Sequence, residues 1–314
     1  MNNQMTKLIN RRQFVVGTAA TAAGVFIGSK LMGFDPKERE AIELQVEKQN
    51  YLMQEVMKYR KIDAHAHVGL GIETPRDHIE IADRLGIEKL IISKPVTRGD
   101  GPPVEFRACN DFVLKAVKEF PDRFIGQLTL NPRYAKESLD EIDRRVDQGF
   151  VGMKLYTQVK INDPLFYPII EKFTDLNMII LMHAGIGNAR VVLNAGEPKG
   201  VSIPEDFVDV AKRYPEAMFQ FAHLAGGVDW ESACKALKDY PNVYADVAGS
   251  NNEAGIIDFA LKYFGEDRLF FGCDNSFYQG VGHMLSANLS ETQRKKLFFD
   301  NYNNILRKAG RNVD

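Results

Sequence analysis

The chain has 314 residues, room for one large domain or two ordinary ones, and its 45% hydrophobic and 26% charged content is that of a soluble globular protein. A formal net charge of -2, with acids and bases interspersed and no basic stripe, excludes a nucleic-acid partner. Three scattered cysteines (Cys109, Cys234, Cys273) exclude a disulfide framework.

The N-terminus is not globular. In "NRRQFVVGTAATAAGVFIG", Arg11 and Arg12 stand directly before an uncharged run from Phe14 to Gly28. A charged start followed by a moderately apolar stretch reads as an export signal. Paired arginines followed by Gln13 and Phe14 resemble the twin-arginine signal, whose cargo crosses the membrane folded. The run is shorter than the roughly 20 apolar residues that span a bilayer. Residues 1–34 are therefore assigned to a twin-arginine-type signal, with the twin-arginine export machinery as partner and an exported, periplasmic or extracytoplasmic membrane-associated location. A protein folded before export needs no disulfides, which agrees with the cysteine count. Residues 35–59, charged and free of glycine, read as a helical linker.

From Arg60 onward short apolar runs alternate with longer amphipathic stretches. Strands are expected at 61–68, 88–96, 124–132, 150–158, 179–185, 219–227, 243–250 and 269–277. Several are apolar throughout, as parallel strands covered on both faces are. Helical patterns such as "ACNDFVLKAVKEF", "SLDEIDRRVDQG" and "NEAGIIDFALKYFG" lie between them. Eight such units over about 250 residues predict a (β/α)8 barrel across 60–314. An open doubly wound sheet is the alternative, but it usually brings a glycine-rich phosphate turn after its first strand. Here that place holds "IDAHAHVG".

In that first strand His65 and His67 project to the same face, because side chains alternate along a strand. Two parallel imidazoles are poor core material and a good half-site for a divalent transition metal. The other polar residues inside strands fall in step with them: Lys154 in strand 4, His183 in strand 5, His223 in strand 6 and Asp274 in strand 8. The intervals are 29, 40 and 51 residues, against an average barrel unit of about 31. A lone histidine in an apolar strand is ordinarily a satisfied core residue. Six polar groups at the C-terminal halves of their strands, the end where barrels place their chemistry, are not a packing pattern. They would converge on one mouth as a metal site. His78, inside a helical pattern, and His283, after strand 8, lack this register.

"IDAHAHVG", "GMKLY", "LMHAG", "FAHLAGG" and "LFFGCDNSF" resemble the successive strand motifs of the amidohydrolase superfamily. The nearest branch is the amidohydrolase-related (amidohydrolase 2) family, which contains the aminocarboxymuconate-semialdehyde-decarboxylase-like enzymes. The closing "DNYNNILRK", with Asn301, is similar to that branch's last helix. The resemblance implies a distorted (β/α)8 barrel with Zn²⁺, or another divalent ion such as Mn²⁺, one per chain. It implies His65, His67, His183 and Asp274 as ligands, with His223 polarising water or substrate. In binuclear members a lysine at the position of Lys154 is carbamylated and bridges two metals, with His223 on the second. Unmodified, Lys154 would hold a substrate carboxylate.

The expected reaction is attack of metal-activated water on the carbonyl of a small, anionic amide, ester or lactone, with Asp274 as proton acceptor and His223 stabilising the oxyanion. Decarboxylation by the same barrel and metal is the alternative. A catalytically dead binding barrel would predict a lost ligand, and none is lost. Asp63 is a candidate for orienting a ligand. Tyr156, where many relatives carry His, and Cys273 and Asn275, which flank Asp274, depart from the family pattern. The loops at 97–104, 186–203 and 278–290 are the expected pocket walls; Arg190 and Lys199 point to an anionic substrate, and Lys154, Lys94 and Arg98 are the candidate cations for the departing carboxylate of a decarboxylase.

Overall fold

A computed structural model of the chain describes residues 34–72, 74–96, 100–185, 200–249, 251 and 253–313. The signal segment, Arg98, Arg190, Lys199 and most of the expected 186–203 wall lie outside the described residues. Among the described residues no helix is long and apolar enough to cross a membrane. The chain divides between Val56 and Met57 into two units. The described part of the first is the helix α1 (Pro36–Met57), which ends one residue into the second.

The second unit contains all eight expected strands as one parallel sheet in sequence order. They are β1 (Ile62–His67), β2 (Lys89–Ser93), β3 (Phe124–Leu128), β4 (Phe150–Leu155), β5 (Ile179–Met182), β6 (Met218–Phe221), β7 (Val243–Asp246) and β8 (Leu269–Phe270). Between them run α2 (Pro75–Leu85), α3 (Pro103–Glu119), α4 (Ala135–Val146), α5 (Tyr167–Asp175), α6 (Pro204–Arg213), α7 (Trp230–Leu237) and α8 (Ile256–Phe264). Beyond β8 lie α9 (Phe277–Ser286), α10 (Glu291–Lys295) and α11 (Asn301–Lys308). This is a (β/α)8 barrel.

Local chemistry sets the boundaries. Thr74 starts α2 with a reciprocal capping box to Asp77, Pro75 occupies the first turn, and Gly86 ends the helix at φ 64°. Ile62, Val151, Ile179, Met218 and Phe270 sit at or next to the starts of their strands. They form one apolar cluster with Tyr302, Ile305 and Leu306 of α11. The closing helix thus plugs the N-terminal end of the barrel and leaves the other end for polar groups.

The strands end earlier than expected. His183, His223 and Asp274 stand one, two and four residues beyond β5, β6 and β8, not inside them. Beyond β6 and β8 the backbone turns as well. His223 and Asp274 adopt φ 60° and 46°, left-handed values that break a strand ladder. The loop carrying His223 is pressed against the loop after β7: a Cβ on Gly249 (φ 128°) would collide with the Gly226 nitrogen. Asn251 N donates to Ala225 O at 2.8 Å across the same contact.

Candidate metal centre

β1 delivers two imidazoles to the barrel mouth, both fully buried. Their Nε2 atoms lie 3.1 Å apart, and His67 Nε2 is 3.0 Å from Asp274 Oδ1. His65 Nε2 is 3.7 Å from the same oxygen. Among the described residues, His65, His67 and Asp274 form a group whose ligand atoms all lie within 4.8 Å of one another.

The protonation of this trio suits a cation. His65 Nδ1 lies 3.1 Å from Asp246 Oδ2, and a carboxylate only accepts, so the proton sits on Nδ1 and Nε2 presents a lone pair. His67 Nδ1 is 2.9 Å from Ser93 Oγ, a hydroxyl that can give or receive, so either tautomer is accommodated. Burial disfavours both imidazoliums, pushing His65 down to about 3 and His67 in the same direction. Burial alone would raise the Asp274 carboxyl, but His223 and His65 outweigh it and hold it well below the usual carboxylate range. Two neutral imidazoles and an anion converging on one point fit a divalent ion.

His183 and His223 join this trio differently from the implied ligand set. His223 Nδ1 donates to Asp274 Oδ2 at 3.1 Å, and its Nε2 lies 2.8 Å from His183 Nδ1. The result is a hydrogen-bonded row from His183 through His223 to Asp274. His183 reaches the trio through His223, and its ring stacks on Tyr156, with centroids 4.5 Å apart and an angle of 9°.

Lys154 is fully buried in β4, and its Nζ has no hydrogen-bond partner. It lies 5.3 Å from the Tyr156 ring centroid. Burial lowers its pKa to about 8 although Asp274 and Asp246 pull the other way. Burial, with Asp274, pushes the Tyr156 hydroxyl up to about 12, so it stays a neutral phenol.

Asp63 contacts the backbone of the site rather than a ring. Its Oδ1 accepts from His65 N and Cys273 N, each at 3.0 Å. Burial raises its pKa to about 7. Cys273 is buried with Sγ toward Gly280 on α9 and is no member of the trio. His78 is structural, its Nε2 2.7 Å from His67 O.

The carboxylate that orients His65 is Asp246, which sequence reasoning passed over. It also accepts from Gln220 Nε2 at 2.8 Å and from His223 N at 3.1 Å. These contacts, led by His65, overcome its burial and bring its pKa down to about 2. The signal was present: in "VYADVAGS" an Asp stands at the C-terminal end of β7, where the other strands carry their polar residues. Asp246→Asn is expected to weaken binding of Zn²⁺ or Mn²⁺ by about 10–100-fold, because the tautomer of His65 is no longer fixed. Competition with a fluorescent chelator measures it, and an unchanged affinity would remove Asp246 from this role.

The profile of the amidohydrolase family matches residues 62–301, from β1 into the start of α11. The chain belongs to the amidohydrolase family. Solved structures give this amidohydrolase the same fold. A 2,6-dihydroxybenzoate decarboxylase from Rhizobium matches with a TM-score of 0.63 at 16% identity, over 79% of this chain and 98% of that one. A dihydroxybenzoic acid decarboxylase from Polaromonas, with bound manganese and the inhibitor 2-nitroresorcinol, matches at 0.61 and 18% identity over 79% and 96%. A 4-oxalomesaconate hydratase from Rhodopseudomonas palustris matches at 0.61 and 17% identity over 80% and 96%.

Proposed function

We propose that this amidohydrolase is a metal-dependent carboxy-lyase that removes CO2 from a small carboxylate. The observation that carries the reading is Lys154: a buried cation without a hydrogen-bond partner, beside the His65–His67–Asp274 trio. An ammonium buried without a hydrogen-bond partner is costly, and a substrate carboxylate would satisfy it. The decarboxylases among the solved relatives support this over hydrolysis.

His65, His67 and Asp274 would hold the ion, which supplies a Lewis acid that orients and polarises the substrate. Lys154 binds and orients the carboxylate by a charge-assisted hydrogen bond. The Tyr156 ring, stacked on His183, gives the substrate a flat apolar wall. Loss of CO2 leaves an electron pair that one proton must quench, and the row His183–His223–Asp274 can hold and pass it. Zn²⁺ and Mn²⁺ both suit the donor set, and the manganese-bound relative puts Mn²⁺ first.

Hydrolysis is the second reading, favoured by the His223–Asp274 hydrogen bond, which would let Asp274 take a proton from water and His223 steady an oxyanion. Export through the twin-arginine route is proposed with it, because degradation of nutrients suits an extracytoplasmic enzyme. The described cysteines, all free, agree with folding before export.

The test is CO2 release by the metal-loaded full chain from a panel of small aromatic and unsaturated carboxylates, beside esters, lactones and amides. CO2 with the decarboxylated product supports the lyase. Acid release without CO2 transfers the assignment to hydrolysis, and no turnover of either class overturns both.

A further inference from the structure

We infer that Asn275 is a positioning residue that locks the carboxylate ligand to the histidine pair across the seam where the barrel closes. The inference rests on the metal-site reading of His65, His67 and Asp274.

The sheet order runs from β1 to β8, and β8 is only two residues long. Closure therefore depends on the residues beyond β8. The first contacts are backbone bonds: Ala64 N donates to Phe271 O at 2.9 Å and Asp274 N to His65 O at 2.7 Å, while Cys273 N between them donates to Asp63 Oδ1. The next partner would serve His67. There the backbone has already turned away, with Asp274 at φ 46° and Asn275 at φ 63°. Two consecutive non-glycine residues in the left-handed region are uncommon and point to a constraint held by their surroundings.

The Asn275 side chain replaces the missing strand. Its Oδ1 accepts from His67 N at 2.9 Å, and its Nδ2 donates to His67 O at 2.9 Å and to Leu70 O at 2.8 Å. One amide thus makes the donor–acceptor pair that a strand backbone would have made. The residue next to it is Asp274, so the clasp fixes the chain on which the carboxylate ligand is mounted against the strand bearing both imidazoles.

Few residues can do this. Asparagine tolerates left-handed φ and carries both a donor and an acceptor at the right reach. Aspartate would set a carboxylate oxygen against the carbonyls of His67 and Leu70. Glutamine is one methylene too long. Glycine accepts the backbone angle but supplies no amide.

Asn275→Gly therefore isolates the clasp from backbone strain. Wild type, N275G, N275D and a control, N301A, are compared as full chains by competition for Zn²⁺ and Mn²⁺ with a fluorescent chelator. Melting temperatures are taken with and without metal. Asn301 Nδ2 donates to Glu266 O and Leu269 O, at the far end of β8 from the site. N275G is expected to bind metal about 10–100-fold more weakly and N275D at least as weakly. Both should lose part of the melting-temperature rise that metal produces. N301A is expected to melt lower in both states with that rise intact. N275G binding within about twofold of wild type, or N301A weakened equally, would overturn the role. A wild type that takes up neither metal would overturn the metal reading and this role with it.

Discussion

Asp274→Asn is expected to leave the barrel folded and strip it of metal. Asp274 is the only anion in the trio, so the substitution leaves two neutral imidazoles to oppose a doubly charged ion. It also changes the row, since an amide in place of Oδ2 can present a donor where His223 Nδ1 already donates. The fold should survive, because asparagine adopts φ 46° as readily as aspartate. The bond that anchors the position, from Asp274 N to His65 O, belongs to the backbone. Elemental analysis after purification without added metal should give substoichiometric ion in the variant. Turnover at saturating metal should fall by about 10²–10⁴-fold, the range of a lost acid–base group. Full metal content in the variant would show that Asp274 is no ligand.

Lys154→Met should move activity and stability in opposite directions. Methionine matches the stem of lysine and removes a buried ammonium that no protein group satisfies. The substrate loses a charge-assisted hydrogen bond of about 1.5–3 kcal/mol, or about 10–100-fold in kcat/KM. The chelated protein should become more stable, by an amount that depends on pH. The folded-state pKa is lowered to about 8 from 10.5, so folding disfavours the protonated form. The penalty is full below about pH 8 and fades as pH rises to about 10.5. The gain from Lys154→Met is therefore largest at neutral pH and vanishes at high pH. Urea unfolding of both proteins across that window measures it. A destabilised chelated variant at pH 7 would mean that the Lys154 ammonium has a partner in solution.

How far the sequence reveals this molecule depends on the range of the interactions. All eight strands were legible because parallel strands buried on both faces write themselves as continuous apolar runs. Their ends were not, because "MHAG" and "FAHLAGG" stay largely apolar past the last ladder bond and Phe271 continues the apolar run of β8. After β6 and β8 the backbone turns left-handed at His223 and Asp274, which hydrophobicity does not encode. The approach of His65, His67 and Asp274 was readable from register. The row through His223 to His183 was not, since it depends on ring orientation. Asp246 was missed because an Asp at a strand end is also an ordinary helix-capping residue. Tyr156 and Asn275 stood out as departures, and what they do became visible only with their partners.

The closure of the barrel between its first and last strands has a consequence for how the protein is made. The two imidazoles are in β1 and the carboxylate comes after β8, so 206 residues of chain lie between His67 and Asp274. During synthesis the pair emerges early, and an ion held by all three groups would gain its anionic partner only after β8 has been made. Tight metal uptake would then require the closed ring. The free energy of binding would be gained by a chain in which the first and last strands have met and not by one that stops short of Asp274, so the ion would select molecules whose barrel has closed.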